Sequence, residues 1–181
     1  MATKQAPGNL EKVRAFVNTL NIEEGTDLFS TPEGMAAWFV EAGFLQPGSR
    51  ATRAQLEAAV GVREAIRRVL LANNGDAAGG RETLDTLNRA AETARFSLVF
   101  GGGHVVGFEP HAAGVPGAIG RLLAIVAASI ADGSWSRMKA CASDGCHWAF
   151  YDSARNRSGR WCEMAICGNR EKARTYRARQ A

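Results

Sequence analysis

The sequence predicts a mainly α protein: a helical N-terminal domain with one β-hairpin, then a small four-cysteine zinc finger ending in a basic helix. Three observations carry this expectation. Apolar residues recur at helical spacing through most of the first 134 positions. All four cysteines fall in the last 47 residues as two equally spaced pairs. The charge divides the same way. The whole chain is +4, but the first 134 residues hold 12 Lys+Arg against 14 Asp+Glu, and the last 47 hold 10 against four. A near-neutral body thus carries a basic tail, as expected when one segment meets a polyanion.

Leu10, Val13, Phe16, Val17 and Leu20 lie on one helical face and predict the first helix. Thr31, Pro32 and Glu33 form a helix start, with a hydroxyl cap, a proline in the first turn and an acid near the positive end of the helix dipole. Met35, Trp38 and Phe39 supply its apolar face, and Gly43 ends it. Thr52 and Gln55 are spaced as a capping box, opening a long helix through Leu56, Ile66 and Leu70 that closes at Asn73, Asn74 and Gly75. A fourth helix is expected from Gly80 to Arg95, with Leu84, Leu87 and Ala91 inward.

The period then changes. Phe96 to Phe100 and Val105 to Phe108 flank a turn of three glycines and His104, which reads as a hairpin. His104 and His111 have no partner at any recognisable spacing and read as structural. A fifth helix follows Pro116 and carries Leu122, Leu123, Ile125, Val126 and Ile130. Its 14-residue apolar stretch, Ala118 to Ala131, falls short of the roughly 20 residues that span a bilayer, so a core helix is expected. The N-terminus has no apolar run of signal-peptide length, which points to a cytoplasmic chain without a membrane partner. Asp132 to Ser134 is the expected boundary, giving domains of 1–134 and 135–181.

In a reducing cytosol the cysteines are free thiols, redox thiols or metal ligands. Cys141 and Cys146 are separated by four residues, Cys162 and Cys167 likewise, all within 27 residues. Unrelated thiols or independent redox pairs give no reason for equal spacing. Two knuckles can supply the four tetrahedral sulfurs of one structural zinc, with no coordination position left open. His147, directly after Cys146, is a weaker competitor and reads as a surface or phosphate-facing residue. Trp148, Phe150, Tyr151 and Trp161 read as the core of this small unit, with base stacking as a second use.

Arg155, Arg157 and Arg160 lie between the knuckles. After the last cysteine, Arg170, Arg174 and Arg177 share one helical face, with Lys172 and Arg179 opposite. Ala173 and Tyr176 form a less polar stripe expected to lean on the metal centre. Arginine's planar fork suits phosphate and guanine edges, so nucleic-acid contact is preferred over a merely solvated helix face.

These residues resemble a known family. The order Cys141, Cys146, Trp148, Phe150, Asp152, Arg155, Asn156, Ser158, Arg160, Trp161, Cys162, Met164, Cys167, Gly168, Asn169, Arg170 is similar to the CGNR zinc finger. The body resembles the ABATE-type domain of bacterial proteins at Phe16 to Leu20, Thr31 to Glu33 and Val62 to Ala65. The resemblance implies a stress-induced transcription regulator with a DNA-binding finger. Cys141, Cys146, Cys162 and Cys167 would hold zinc. Arg155, Arg157, Arg160, Arg170, Lys172, Arg174 and Arg177 would face DNA, with RNA as the other candidate polyanion. The chain departs from the pattern at Gly159, where a basic residue is usual, and at Glu163, where a small polar one is; both lower the local positive charge.

In this reading the body senses a signal or forms a homodimer. The alternative is a small-molecule-binding protein whose finger is structural, with Asn18, Thr19 and Arg63 lining a pocket for an unknown effector. Those three serve more simply as helix caps and bridges. No nucleophile–base pair, phosphate loop at a helix start or open metal site is present in the sequence, so catalysis is not expected.

Overall fold

The computed structural model describes residues 4–77, 79–101 and 106–180. Five helices build the body. α1 (Leu10–Val17), α2 (Pro32–Glu41), α3 (Arg53–Ala72), α4 (Arg81–Ala94) and α5 (Gly114–Ala131) surround one apolar core. Two minor hairpins interrupt them, β1 (Leu20–Asn21) with β2 (Thr26–Asp27), and β3 (Phe96–Phe100) with β4 (Val106–Pro110). The tail contributes a 3-10 turn (Ser134–Arg137), the hairpin of β5 (Met138–Ala140) and β6 (Ala149–Tyr151), a π-helical turn (Met164–Gly168) and α6 (Asn169–Ala178).

The starts of α2 and α3 form as their side chains dictate. The Thr31 hydroxyl accepts from Gly34 N at 3.1 Å. Thr52 and Gln55 complete a reciprocal box, Gln55 N donating to the Thr52 hydroxyl at 3.2 Å and Thr52 N to Gln55 Oε1 at 2.9 Å. Gly43 leaves α2 at φ +76°. An aromatic cluster of Phe16, Phe29, Trp38 and Phe39, with centroids 5.2–6.0 Å apart, holds α1 against α2.

Several expected placements change. Leu20 leaves α1 and pairs with Asp27 in β1–β2, because the Thr19 hydroxyl bonds back to Phe16 O and ends the helix at Val17. Leu84 and Ile130 are exposed, the first near the start of α4 and the second at the end of α5, where no further layer covers them. α5 begins before Pro116, at Gly114. It is the one helix among the described residues long and apolar enough to cross a membrane, and Val115, Ala118, Ile119 and Leu122 bury one side of it in the core. The glycine turn with His104 lies largely outside the described residues; the His111 ring meets the Ser97 hydroxyl.

At the expected boundary the chain turns through Gly133 at φ +78°. Apolar packing nevertheless runs across it: Trp135, Met138, Ala140 and Ala149 lie in the same core cluster as α1, α3 and α5. Polar ties cross with them. The Asn18 carboxamide takes Ala149 N at 2.7 Å and gives to Ala149 O at 3.0 Å, acting as a substitute strand beside β6. Asn73 donates to Trp135 O and Met138 O, and Asn74 to Ala140 O and Arg160 O, all at 2.7–3.1 Å.

Arg63 and Arg67 are buried on α3. Arg63 forks onto both Asp27 oxygens at 2.7 and 2.9 Å and reaches the Thr19 hydroxyl at 3.1 Å. Arg67 donates to Val17 O at 2.7 Å and to His147 O at 3.0 Å. Asn18, Thr19 and Arg63 therefore direct their bonds into the protein. Burial alone would raise the Asp27 carboxyl, but hydrogen bonds from Arg63 and Phe29 N and the nearby guanidiniums outweigh it and hold it below its ordinary value. A depressed carboxyl stabilises the fold fully above its unfolded pKa near 4, and the contribution fades as pH falls through the folded value. Arg63→Met should cost about 3 kcal/mol in denaturant unfolding, because it strands a carboxylate against the core. Asp27→Asn should flatten the loss of stability seen in wild type on acidification below about pH 4.

Candidate metal centre and basic surface

The first knuckle turns where Cys146 N and His147 N both donate to Ser143 O, and the second where Cys167 N and Gly168 N donate to Glu163 O. Cys141 N bonds Trp148 O to close the first knuckle, and Ala142 N bonds Arg160 O, which joins the two knuckles by backbone as well. The four sulfurs lie within 4.8 Å of one another, with Cys146–Cys162 at 3.6 Å and Cys162–Cys167 at 3.8 Å. A tetrahedral zinc with bonds of about 2.3 Å sets its sulfurs about 3.8 Å apart. His147 stands outside this cluster; its backbone is left-handed at φ +49° and its carbonyl is taken by Arg67.

Charge supports the same assignment. Hydrogen bonds from Cys146 and Cys162 hold the Cys141 thiol far below its usual value. Their bonds to Cys141 push Cys146 and Cys162 up, while burial and then the Cys141 charge raise Cys167. Four thiolates this close repel one another, and a divalent cation is what allows them to coexist. The residues fit one structural zinc, and a four-sulfur shell leaves no position for substrate.

Around the sulfurs pack Trp148 and Trp161. Phe150 is buried under the Lys4 ammonium, 4.7 Å from the ring centroid, and Tyr151 packs on the helical core. Lys4 also donates to Trp161 O at 2.8 Å, so the N-terminal segment straps the finger. In the Cys-Gly-Asn-Arg run each residue has a local task. A side chain at Gly168 would meet Met164 Sδ at 2.4 Å. Asn169 donates to Ala165 O, and Arg170 pairs with Glu23 at the β1–β2 turn.

Lys139, which counts as part of the basic tail by sequence, is buried. It donates to Asp152 Oδ2 at 2.8 Å and to the carbonyls of Arg157 and Gly159. Asp152 also accepts from Ala154 N and Gly159 N. This pair shapes the loop that carries Arg155, Arg157 and Arg160. A side chain at Gly159 would come within 2.7 Å of the Asp152 carboxylate, which accounts for glycine there. Only the pairing of Asp152 with a lysine two residues before the first ligand hints at it in sequence.

The basic residues divide into two sets. Arg170 and Arg174, expected on one free face with Arg177, are exposed but paired: Arg170 with Glu23, and Arg174 with Asp144 at 2.7 Å and Glu171 at 2.8 Å. Such exposed pairs are worth little in stability but reduce the free charge. Arg155, Arg157, Lys172, Arg177 and Arg179 stay exposed, and Arg160 stacks over Trp161. Tyr176 does not lean on the metal centre; it is 63% exposed, because α6 buries no residue of its own. Arg160, Trp161, Lys172, Arg174, Tyr176 and Arg179 line one open groove.

Removing zinc with a chelator, or by Cys162→Ser, should release Trp148, Trp161 and α6, seen as a tryptophan emission shift and faster amide exchange. Apparent zinc-binding energies of about 10–16 kcal/mol show how far such a unit relies on its metal. The β5–β6 hairpin and α1–α5 should keep their protection, because Met138, Ala140 and Ala149 belong to the helical core. Exchange accelerating throughout the chain would show that the core itself depends on the metal.

Comparison with known families agrees with this arrangement. Residues 137–180 match the CGNR zinc finger. Residues 13–133 match ABATE, a family described as "Putative stress-induced transcription regulator". No curated protein matches the sequence. A zinc-ready four-cysteine finger fastened to a five-helix body, matched over both parts, makes the chain a member of the ABATE family with a C-terminal CGNR zinc finger.

Proposed function

We propose that the chain is a transcription regulator that binds DNA through the finger and α6, with the helical body as its sensing or self-association unit. The observation that supports this most is the groove beside α6. It joins Arg160, Lys172, Arg174 and Arg179 to the half-buried Trp161 and the exposed Tyr176, with Glu171 as its acid. Guanidiniums and an ammonium neutralise phosphates, and an exposed aromatic offers a stacking surface. Arg155, Arg157 and Arg177 extend the positive surface. Arg170 and Arg174 play a smaller part, because each already holds a carboxylate.

A cavity of about 210 Å³ favours a sensing role for the body. It lies where the β1–β2 turn meets the zinc centre, lined by Trp148, Phe150, Ile166, Asn21 and Glu24 and also by Cys146, Cys162 and Cys167, so the metal itself takes up part of that volume. An effector seated there would touch body and finger together. This reading replaces Asn18, Thr19 and Arg63, which bond internally, as the place where a small molecule would act. Titration with candidate effectors should change Trp148 emission; emission unchanged by a broad metabolite set would remove this role.

With about five phosphates neutralised, log K for duplex DNA should fall against log salt with a slope of about −4.5. Arg160→Ala with Lys172→Ala should weaken binding about tenfold or more without loss of zinc, and by more than Arg170→Ala does. A flat salt response sinks the proposal; tighter binding to single-stranded RNA than to duplex DNA would reassign the polyanion.

A further inference from the structure

We infer that two copies of this chain associate through the β3–β4 hairpin and the adjacent face of α5. The inference builds on the self-association half of the proposed function and is independent of DNA binding. Strand register places Phe96 opposite Pro110, Leu98 opposite Phe108 and Phe100 opposite Val106. Alternation puts all six side chains on one face of the ribbon, with no polar residue among them. Phe96 and Phe108 pack edge-on at 6.2 Å, consistent with that shared face.

The base of the ribbon is seated on α5. At Gly120 an added Cβ would lie 2.7 Å from both Pro110 and Ala94. The outer half overhangs. Leu98 is 50% exposed, Phe100 75%, Val106 54% and Phe108 46%. At side-chain areas of roughly 150–200 Å², these four offer about 400 Å² of apolar surface, within the range of the largest patch on a typical monomer. A two-stranded ribbon is also marginal alone and keeps an open edge on each strand.

Beside this ridge runs a groove of about 630 Å³ between Val106 and Phe108 on one side and Ala124, Ile125 and Ala128 of α5 on the other. Asp132 is its one charged lining residue among the described residues. Ridge and groove lie side by side on the same chain, which is the requirement for a two-fold contact: each ridge enters the other copy's groove. The ridge supplies about half of the roughly 800 Å² per partner that a standard-size interface buries, and the α5 wall adds to it, which places the contact at the small end of specific interfaces, that of a concentration-dependent dimer. The lack of charge fits an identical partner and does not fit a polyanion.

Sedimentation equilibrium of the zinc-loaded full chain, without nucleic acid, tests this. The expected result is a dimer. Phe100→Asp and Phe108→Asp should each raise its Kd about a hundredfold, as loss of a central anchor does. Ala128→Trp should weaken it by filling the groove, and Leu84→Asp, at an exposed leucine off the ridge, should not. If Phe108→Asp fails to fold by circular dichroism, Phe100→Asp decides, since its ring is mostly outside the core. A wild-type monomer at every concentration, a Kd unmoved by the ridge variants, or a monomer that binds phosphatidylcholine vesicles through Phe100 would each overturn the inference. A monomer that binds DNA with the expected salt slope refutes only this association, and a dimer that ignores DNA refutes only the DNA reading.

Discussion

A few polar side chains on the buried side of α3 and at its end organise the molecule. Arg63 and Arg67 lie one turn apart on the buried side of α3 as buried guanidiniums, and Asn74 follows in the turn just past its end. A buried charge that is not fully bonded costs several kcal/mol, so each cation dictates where its acceptors stand. Arg63 holds β1–β2 through Asp27, and Arg67 holds the end of α1 and the first knuckle through two carbonyls. Asn73 and Asn74 then take four carbonyls of the tail. The finger is thereby fastened to the body at several points beyond its covalent link.

That fastening changes what the zinc centre is for. The β5–β6 hairpin already belongs to the helical core, while the sulfur cluster with Trp148 and Trp161 forms a separate small nucleus. The metal orders the outer part of the tail, the π-helical turn and α6, on a platform the body provides. A buried Lys139–Asp152 pair does comparable work for the inter-knuckle loop, setting the backbone from which Arg155, Arg157 and Arg160 project. Zinc and ion pair together present the basic surface in a defined orientation relative to the junction cavity.

Much of this was legible in the sequence because its causes are local. The Thr31 and Thr52 caps, the glycine exit of α2 and the two cysteine pairs each act within a few residues, and each forms as its spacing implies. Leu20, Leu84, Ile130 and Tyr176 departed from expectation for one shared reason. Periodicity identifies a face but not whether another layer covers it, and these four lie where the element ends or nothing is packed above. The roles of Asn18, Asn74 and Lys139 were hidden because their partners are backbone carbonyls far away in sequence, which carry no side-chain signature.

By itself, then, the sequence determined the starts of α2 and α3, the cysteine cluster and the division of charge between body and tail, since local hydrogen bonds and ligand spacing require nothing from the rest of the chain. Tertiary structure alone decided which cations are free. Arg170 and Arg174 meet Glu23 and Asp144, and Lys139 sinks beneath the loop, while Arg160, Lys172 and Arg179 share an open groove. A charge count cannot make that distinction, because whether an arginine faces solvent or a carboxylate depends on which distant segment the fold brings beside it.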